Sequence, residues 1–119
     1  MTRQEQATVF VIQQPFRDLD LSPALEYGRV EFLLEDTDVH PRERQLKHDT
    51  WRAQAEMEFR LQRFHGDRDY LLLLGDPAAI GLATAIITKL NGGKFTLLKW
   101  DREQKKYYPV FVNLRKGAH

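Results

Sequence analysis

The sequence predicts a single α/β domain: a mixed sheet of about five strands with two helices, in the order β-β-α-β-α-β-β. The stretch Tyr70–Trp100 carries this prediction. It runs through an apolar segment, a Gly-Asp-Pro turn, a long apolar segment, Asn-Gly-Gly and another apolar segment, as a βαβ unit does. Two strand-like runs precede it, and 119 residues suffice for one hydrophobic core but not for two. We therefore expect one domain over residues 1–119, with a frayed tail at residues 115–119.

The first third of the chain predicts two strands. Ala7–Gln13 is an apolar run rich in β-branched and aromatic residues, which is typical of a strand covered on both faces. Tyr27–Glu35 is a second run that places apolar side chains on both of its faces. The segment between the two contains Pro15 and Pro23, so we expect a loop there.

A long amphipathic helix is predicted from Pro41 to Phe64. Its apolar residues recur at spacings of three, four and seven and therefore share one stripe: Leu46, Ala53, Met57, Leu61 and Phe64. A flanking row has a spacing of four: Trp51, Ala55 and Phe59. Proline suits the first turn of a helix, and Gly66 is typical of a helix stop. We expect the stripe to pack on the sheet.

A second helix, Pro77–Leu90, follows the central strand Tyr70–Leu74. It is apolar on nearly all sides, so either the rest of the chain covers it or it exposes an apolar patch. Gly81 would let its backbone lie close to the sheet or to another helix. Because so small a chain has little left to cover a helix, we expect self-association as a homodimer through its apolar residues: Ala79, Leu82, Ala83, Ile86 and Ile87.

The C-terminal part of the chain predicts a β-hairpin. Its strands are Lys94–Trp100 and Tyr107–Leu114, and Asp101–Lys106 forms the turn. Pro109 has no N–H group to donate to a neighbouring strand, so the last strand is expected at the edge of the sheet.

Charge is distributed unevenly, although the formal net charge is only +1. Residues 1–40 contain three basic and eight acidic side chains, whereas residues 94–119 contain seven basic and two acidic ones. Basic side chains interleaved with aromatic ones are typical of surfaces that bind single-stranded nucleic acid. The alternative is a solvated hairpin whose aromatic residues pack on the sheet. The expected surface for a nucleic-acid or protein partner comprises Lys94, Lys99, Arg102, Lys105, Lys106, Tyr107 and Arg115.

Few residues suit catalysis or metal binding. The chain has no cysteine, which excludes thiolate chemistry, and its only serine, Ser22, lies outside any nucleophile motif. Four residues near the start of the first helix are of metal-ligand type but lack the spacing of a known metal site: Asp36, Asp38, His40 and His48. His65 and Asp67–Asp69 are interpreted as a solvated turn rather than an acid–base pair. We predict neither a metal nor a cofactor.

The turn Gly75–Asp76–Pro77 joins a strand to a helix, where α/β proteins often bind anions or nucleotides. Here Asp76 would place its own carboxylate on the free helix amides, Pro77 removes one amide, and the glycine-rich phosphate motifs are missing. We therefore interpret the turn as a helix cap. The alternative is a small enzyme or ligand-binding protein whose pocket lies at the strand ends near Asp76.

Three segments resemble small uncharacterised proteins of tailed bacteriophages: LDLSPALEYG, DYLLLLGDPAAIGLATA and NGGKFTLLKWDREQKKYYPV. The resemblance covers Leu19–Gly28 and most of Asp69–Val112, whereas the predicted helix Pro41–Phe64 contributes nothing to it. It implies an accessory protein made during phage infection, with no established activity and no catalytic residues to assign.

Together these patterns predict binding rather than chemistry. We expect a small accessory or host-modulating protein that engages a host or phage protein, or single-stranded nucleic acid, through the apolar helix and the basic hairpin. A virion or assembly component is a further alternative. No stretch approaches the roughly 20 apolar residues of a membrane span, and the N-terminus lacks a secretory signal, so we expect no membrane and a cytoplasmic location.

Overall fold

The computed structural model describes residues 6–15, 19–35 and 50–116. It confirms the α/β class, with one compact domain, a five-stranded mixed sheet and two α-helices. The strands are β1 (Thr8–Gln13), β2 (Arg29–Leu34), β3 (Tyr70–Leu72), β4 (Lys94–Asp101) and β5 (Lys106–Asn113). The helices are α1 (Trp51–Arg60) and α2 (Pro77–Asn91). Short 3-10 turns are formed by Ser22–Glu26, Leu61–Arg63 and Leu114–Lys116.

The strand order across the sheet is β2-β1-β3-β4-β5. The first four strands are parallel to one another, and β5 pairs antiparallel with β4 as the second strand of the predicted hairpin. β3 is the central strand, as its continuous apolar run predicted. β5 is an edge strand, as Pro109 predicted.

The two faces of the sheet are covered by different parts of the chain. Both helices lie on one face, where they pack on side chains that alternate along the strands, among them Phe10, Leu71 and Phe95. On the opposite face, Val11 and Leu72 belong to a buried cluster that includes Ala24 of the 3-10 turn Ser22–Glu26, and Tyr27 packs against this cluster. β1 and β3 are therefore buried on both sides.

α1 confirms the predicted stripe in the part that is described. Ala53 and Met57 are buried, Leu61 and Phe64 continue the stripe, and the Phe64 ring lies 5.6 Å from that of Phe10. The start of the predicted helix, with Leu46, lies outside the described residues. The flanking row is exposed, with Trp51 at 60% and Phe59 at 76%.

α2 packs differently from the expectation. Of the five residues predicted to mediate self-association, Leu82 is partly buried. The other four are buried in the core of the chain itself: Ala79, Ala83, Ile86 and Ile87. The exposed apolar patch on which that prediction depended is therefore not formed by these side chains. The reason is that the sheet and α1 together cover the helix. Gly81 is also not a close-contact position, because a Cβ atom there would have no neighbour within 4 Å.

Asp69 corrects the interpretation of its segment as a solvated turn. It is 1% exposed, and its carboxylate accepts hydrogen bonds from the backbone N–H groups of Thr8 and His65, each at 2.9 Å. The Arg68 guanidinium pairs with the same carboxylate at 3.0 Å. The side chain thereby ties the turn before β3 to the first residue of β1.

We expect Asp69→Ala to lower the free energy of unfolding by about 2–4 kcal/mol, because two backbone donors and a guanidinium lose their acceptor. Asp67→Ala is the matched control, since Asp67 is exposed in the same turn, and its effect should stay within about 0.5 kcal/mol. Urea denaturation followed by circular dichroism measures both. Equal effects of the two variants would show that Asp69 is not the anchor.

Gly81→Ala should raise the free energy of unfolding by about 0.5–1 kcal/mol, because alanine has the higher helix propensity and nothing crowds its methyl group here. Gly92→Ala provides the contrast. Gly92 ends α2 with a φ of +65°, so alanine there should be destabilising. A thermal melt of each variant separates the two cases, and a loss of stability in Gly81→Ala would imply that an unseen neighbour packs against this position.

Candidate functional site

The β4–β5 hairpin ends in a turn that its own side chains organise. The ladder runs from Lys94 opposite Asn113 to Asp101 opposite Lys106. The Asp101 carboxylate accepts hydrogen bonds from the N–H groups of Glu103 at 2.9 Å and Gln104 at 3.1 Å. Its carbonyl accepts one from Lys105 at 2.8 Å. Asp101 therefore acts as the acceptor that closes the turn, so its negative charge is partly compensated by amides.

Lys105 has an unfavourable backbone conformation in this turn. Its φ is +53°, and among the described residues it is the single non-glycine residue with positive φ. The left-handed region costs a side-chain-bearing residue roughly 1–2 kcal/mol, and glycine or asparagine would relieve this cost. Strain of this kind clusters at functional positions.

The structure divides the predicted basic surface into two groups. Lys99, Arg102, Lys105 and Lys106 are exposed at the turn end of the hairpin. Lys94 and Arg115 are exposed at the opposite end, separated from the turn by the length of β4, roughly 23 Å at about 3.3 Å per residue.

Tyr107 is not a surface residue as predicted, because it is 5% exposed and contacts the core on the face opposite the helices. Burial raises the pKa of its hydroxyl, and the negative charge of Asp20 adds to this effect. Its carbonyl oxygen accepts a hydrogen bond from the Tyr27 hydroxyl at 2.9 Å. Tyr107 is thus a structural residue beneath the site rather than a contact residue.

Trp100 is the aromatic residue that the turn presents to solvent. It is 41% exposed, and its ring meets Tyr107 edge-on with the centroids 4.8 Å apart, which fixes its orientation. The sequence predicted aromatic residues among the basic ones but did not place Trp100 in the expected surface. Trp100 is the penultimate residue of β4 and lies on the same face as buried Leu98, a pattern that indicates a side chain only partly covered. We name the following residues the basic tip: Lys99, Trp100, Arg102, Lys105 and Lys106.

The turn before α2 is a helix cap in the structure. Asp76 Oδ2 accepts hydrogen bonds from the N–H groups of Ala78 at 3.0 Å and Ala79 at 3.3 Å. Gln13 Oε1 accepts one from the Asp76 N–H at 2.8 Å. A Cβ atom at Gly75 would lie 2.6 Å from Gln13 Cβ, so the turn packs tightly against β1. The arrangement accounts for Asp76 without a ligand.

Other site types find little support in the part of the chain that the structure describes. No group of three or more metal-ligand side chains occurs among these residues. Asp36, Asp38, His40 and His48 lie outside them. Within the same residues, no helix has the length and apolar character needed to cross a membrane.

Comparison with known proteins identifies the family. The family model described as phage Pam3 gp32-like protein matches residues 7–114. The chain therefore belongs to the phage Pam3 gp32-like protein family, in agreement with the resemblance to small phage proteins. Comparisons with curated proteins and with solved structures found no match.

Substitutions of Asp76 test its role as a helix cap. Asparagine caps a helix about as well as aspartate, so Asp76→Asn should change the free energy of unfolding by no more than a few tenths of a kcal/mol. Asp76→Ala should cost about 1 kcal/mol. Chemical denaturation of both variants is the measurement. A destabilisation by Asp76→Asn as large as that by Asp76→Ala would mean that the negative charge itself is required there.

Proposed function

We propose that this phage protein is a non-enzymatic binding protein that contacts single-stranded nucleic acid with the basic tip. The observation that carries the proposal is the partly exposed Trp100 ring next to the exposed basic turn residues Arg102 and Lys105 at the free end of a hairpin. Lys99 and Lys106 are exposed at the same end but project from the other face of the strands. A base would stack on the open part of the ring, while the cations would neutralise neighbouring phosphates.

The local energetics support a role in binding. A lysine at a left-handed turn position is less stable than glycine or asparagine, and the proposal assigns its charge a use in binding. Stacking of one base on an aromatic side chain contributes about 1–3 kcal/mol. Three or four phosphate contacts would add a salt-dependent contribution to the affinity.

Asp20 is an acidic residue that opposes such binding. Its negative charge raises the pKa of Tyr107, the ring of which contacts Trp100 edge-on. Its own pKa is lowered by hydrogen bonds from Ser22, so it is ionised at neutral pH. We therefore expect affinity to be modest, and removal of this charge to increase it.

An acidic protein surface is the rival partner for the same cations. Direct binding of an oligonucleotide separates the two, because an exposed tryptophan beside cations also occurs in protein–protein interfaces. The expected cytoplasmic location and the expected host or phage protein partner remain predictions.

Fluorescence anisotropy with a labelled oligodeoxythymidine of about 20 nucleotides tests the proposal. We expect binding at about 50 mM salt, with log K falling against log salt concentration at a slope of about −2 to −3, since single strands release about 0.7 counterions per phosphate contact. Arg102→Glu with Lys105→Glu should lower the affinity at least about tenfold and reduce the magnitude of the slope by about 1.4, since two contacts are lost. Trp100→Leu should weaken binding about fivefold or more at unchanged slope.

The matched control is Lys94→Glu with Arg115→Glu, which makes the same change in net charge at the opposite end of the hairpin. It should retain most of the affinity, and Asp20→Asn should increase it. The proposal fails if the oligonucleotide does not bind at low salt. It fails equally if both double variants lose the same affinity, because binding would then follow net charge and not the basic tip.

A further inference from the structure

The free edge of β5 has a defined hydrogen-bonding pattern. In an antiparallel pair, residues alternate between those whose N–H and C=O groups face the partner strand and those whose groups face away. The Leu114 N–H donates to the Gly93 carbonyl at 2.8 Å, which sets the phase of the alternation. Counting back in steps of two, the backbone groups of every even residue of β5 face β4. Those of Tyr107, Pro109, Phe111 and Asn113 face the outer edge.

Along the first half of β5, two features reduce the hydrogen bonds that this edge can form with another strand. The Tyr107 carbonyl already accepts the Tyr27 hydroxyl, and Pro109 has no N–H. Among the described residues, the outward groups that these two features leave are the Tyr107 N–H, the Pro109 C=O, and the N–H and C=O groups of Phe111 and Asn113. From Pro109 to Asn113 this edge fits its own image after a two-fold rotation about Phe111: the two Phe111 residues can exchange bonds, and each Asn113 N–H meets a Pro109 C=O.

We propose that a second copy of this chain pairs antiparallel with β5 along this edge, with Phe111 opposite Phe111 of the second copy. The two Phe111 residues exchange two backbone hydrogen bonds, and each Asn113 N–H donates to the Pro109 carbonyl of the other copy, about four bonds in total. The result is one continuous sheet through both copies. The Asn113 carbonyl of each copy lies opposite Pro109 of the other and receives no hydrogen bond from it, because proline has no N–H.

The side chains agree with this pairing. Phe111 is 79% exposed, and by register with Thr96 it lies on the face opposite the helices, where it would stack against its symmetry mate. The strand from Tyr108 to Asn113 carries no charged side chain, although charges are the usual protection of an edge strand. By contrast, the Arg60 guanidinium on α1 caps the Phe32 carbonyl of β2 at 2.8 Å, at the other edge.

This interface replaces the α2 surface as the route to self-association and leaves the basic tip free. Its hydrogen bonds and its Phe111 contact use no residue of the basic tip, so either inference can fail without the other. At each end of the pairing, Lys106 of one copy lies near Arg115 of the other, and these like charges repel each other. Higher salt should therefore favour the dimer, whereas it weakens nucleic-acid binding.

Sedimentation equilibrium of the full chain tests the proposal. We expect a concentration-dependent species of twice the 14.0 kDa chain mass, favoured by salt. Phe111→Lys should shift the species to monomer, because it places like charges across the two-fold axis. Phe59→Lys is the matched control: Phe59 is 76% exposed on α1, and its substitution should leave the dimer intact.

Cross-linking provides a second measurement that does not depend on weakening the interface. The chain has no cysteine, so Phe111→Cys introduces a single thiol. Directly opposed residues have Cα atoms about 5.5 Å apart, within the range of a disulfide, so mild oxidation should yield a cross-linked dimer. Phe59→Cys should yield far less. A wild-type chain that stays monomeric at high salt and concentration, or equal cross-linking of the two cysteine variants, would overturn the proposal.

Discussion

The pairing of β1 with β3 is the constraint on which the rest of the structure depends. These strands are more than 60 positions apart in sequence, yet they lie side by side in the middle of the sheet with both faces buried. Two buried polar side chains hold the pair at its ends. Asp69 binds the first N–H of β1, and Gln13 at the end of β1 binds the N–H of Asp76 after β3. Because a buried strand cannot exchange these bonds for water, the register of the two strands is fixed by side-chain acceptors as well as by the apolar core.

Burial on both faces of the central strands restricts where this protein can contact a partner. The apolar side of α2 packs against the sheet and α1, and the Asp76 carboxylate accepts hydrogen bonds from the first amides of the helix. The hairpin extends beyond this core. Its turn end carries charge and an open aromatic ring, whereas the far half of β5 carries unprotected backbone groups and no charge. One hairpin thus carries two chemically different surfaces, the basic tip and an uncharged strand edge.

The two edges of the sheet are treated differently. At β2, the Arg60 guanidinium of α1 occupies an outward carbonyl and is itself held by Glu56 and Glu35. Its pKa is raised by these two carboxylates, although burial alone would lower it, so the guanidinium remains charged. At β5, the Tyr27 hydroxyl occupies the Tyr107 carbonyl and Pro109 lacks an N–H, but the outward backbone groups beyond Pro109 have no such protection among the described residues. An edge that is closed at one end and open at the other limits how far an added strand could pair, and this favours a single register over open-ended association.

The sequence by itself determined the fold class, the order of the elements, the cap at Asp76 and the edge position of Pro109, because each follows from local periodicity or from the chemistry of one residue. It also indicated a small phage protein, which the family match over residues 7–114 confirms. Only the tertiary structure decided which face of α2 is covered, that Asp69 is buried, and that Tyr107 lies beneath Trp100. These outcomes depend on contacts between residues far apart in the chain, which no local pattern encodes. The seven residues predicted to form one surface lie in three places for the same reason. The length of β4 separates Lys94 and Arg115 from the turn, and the alternation of side chains along β5 directs Tyr107 into the core.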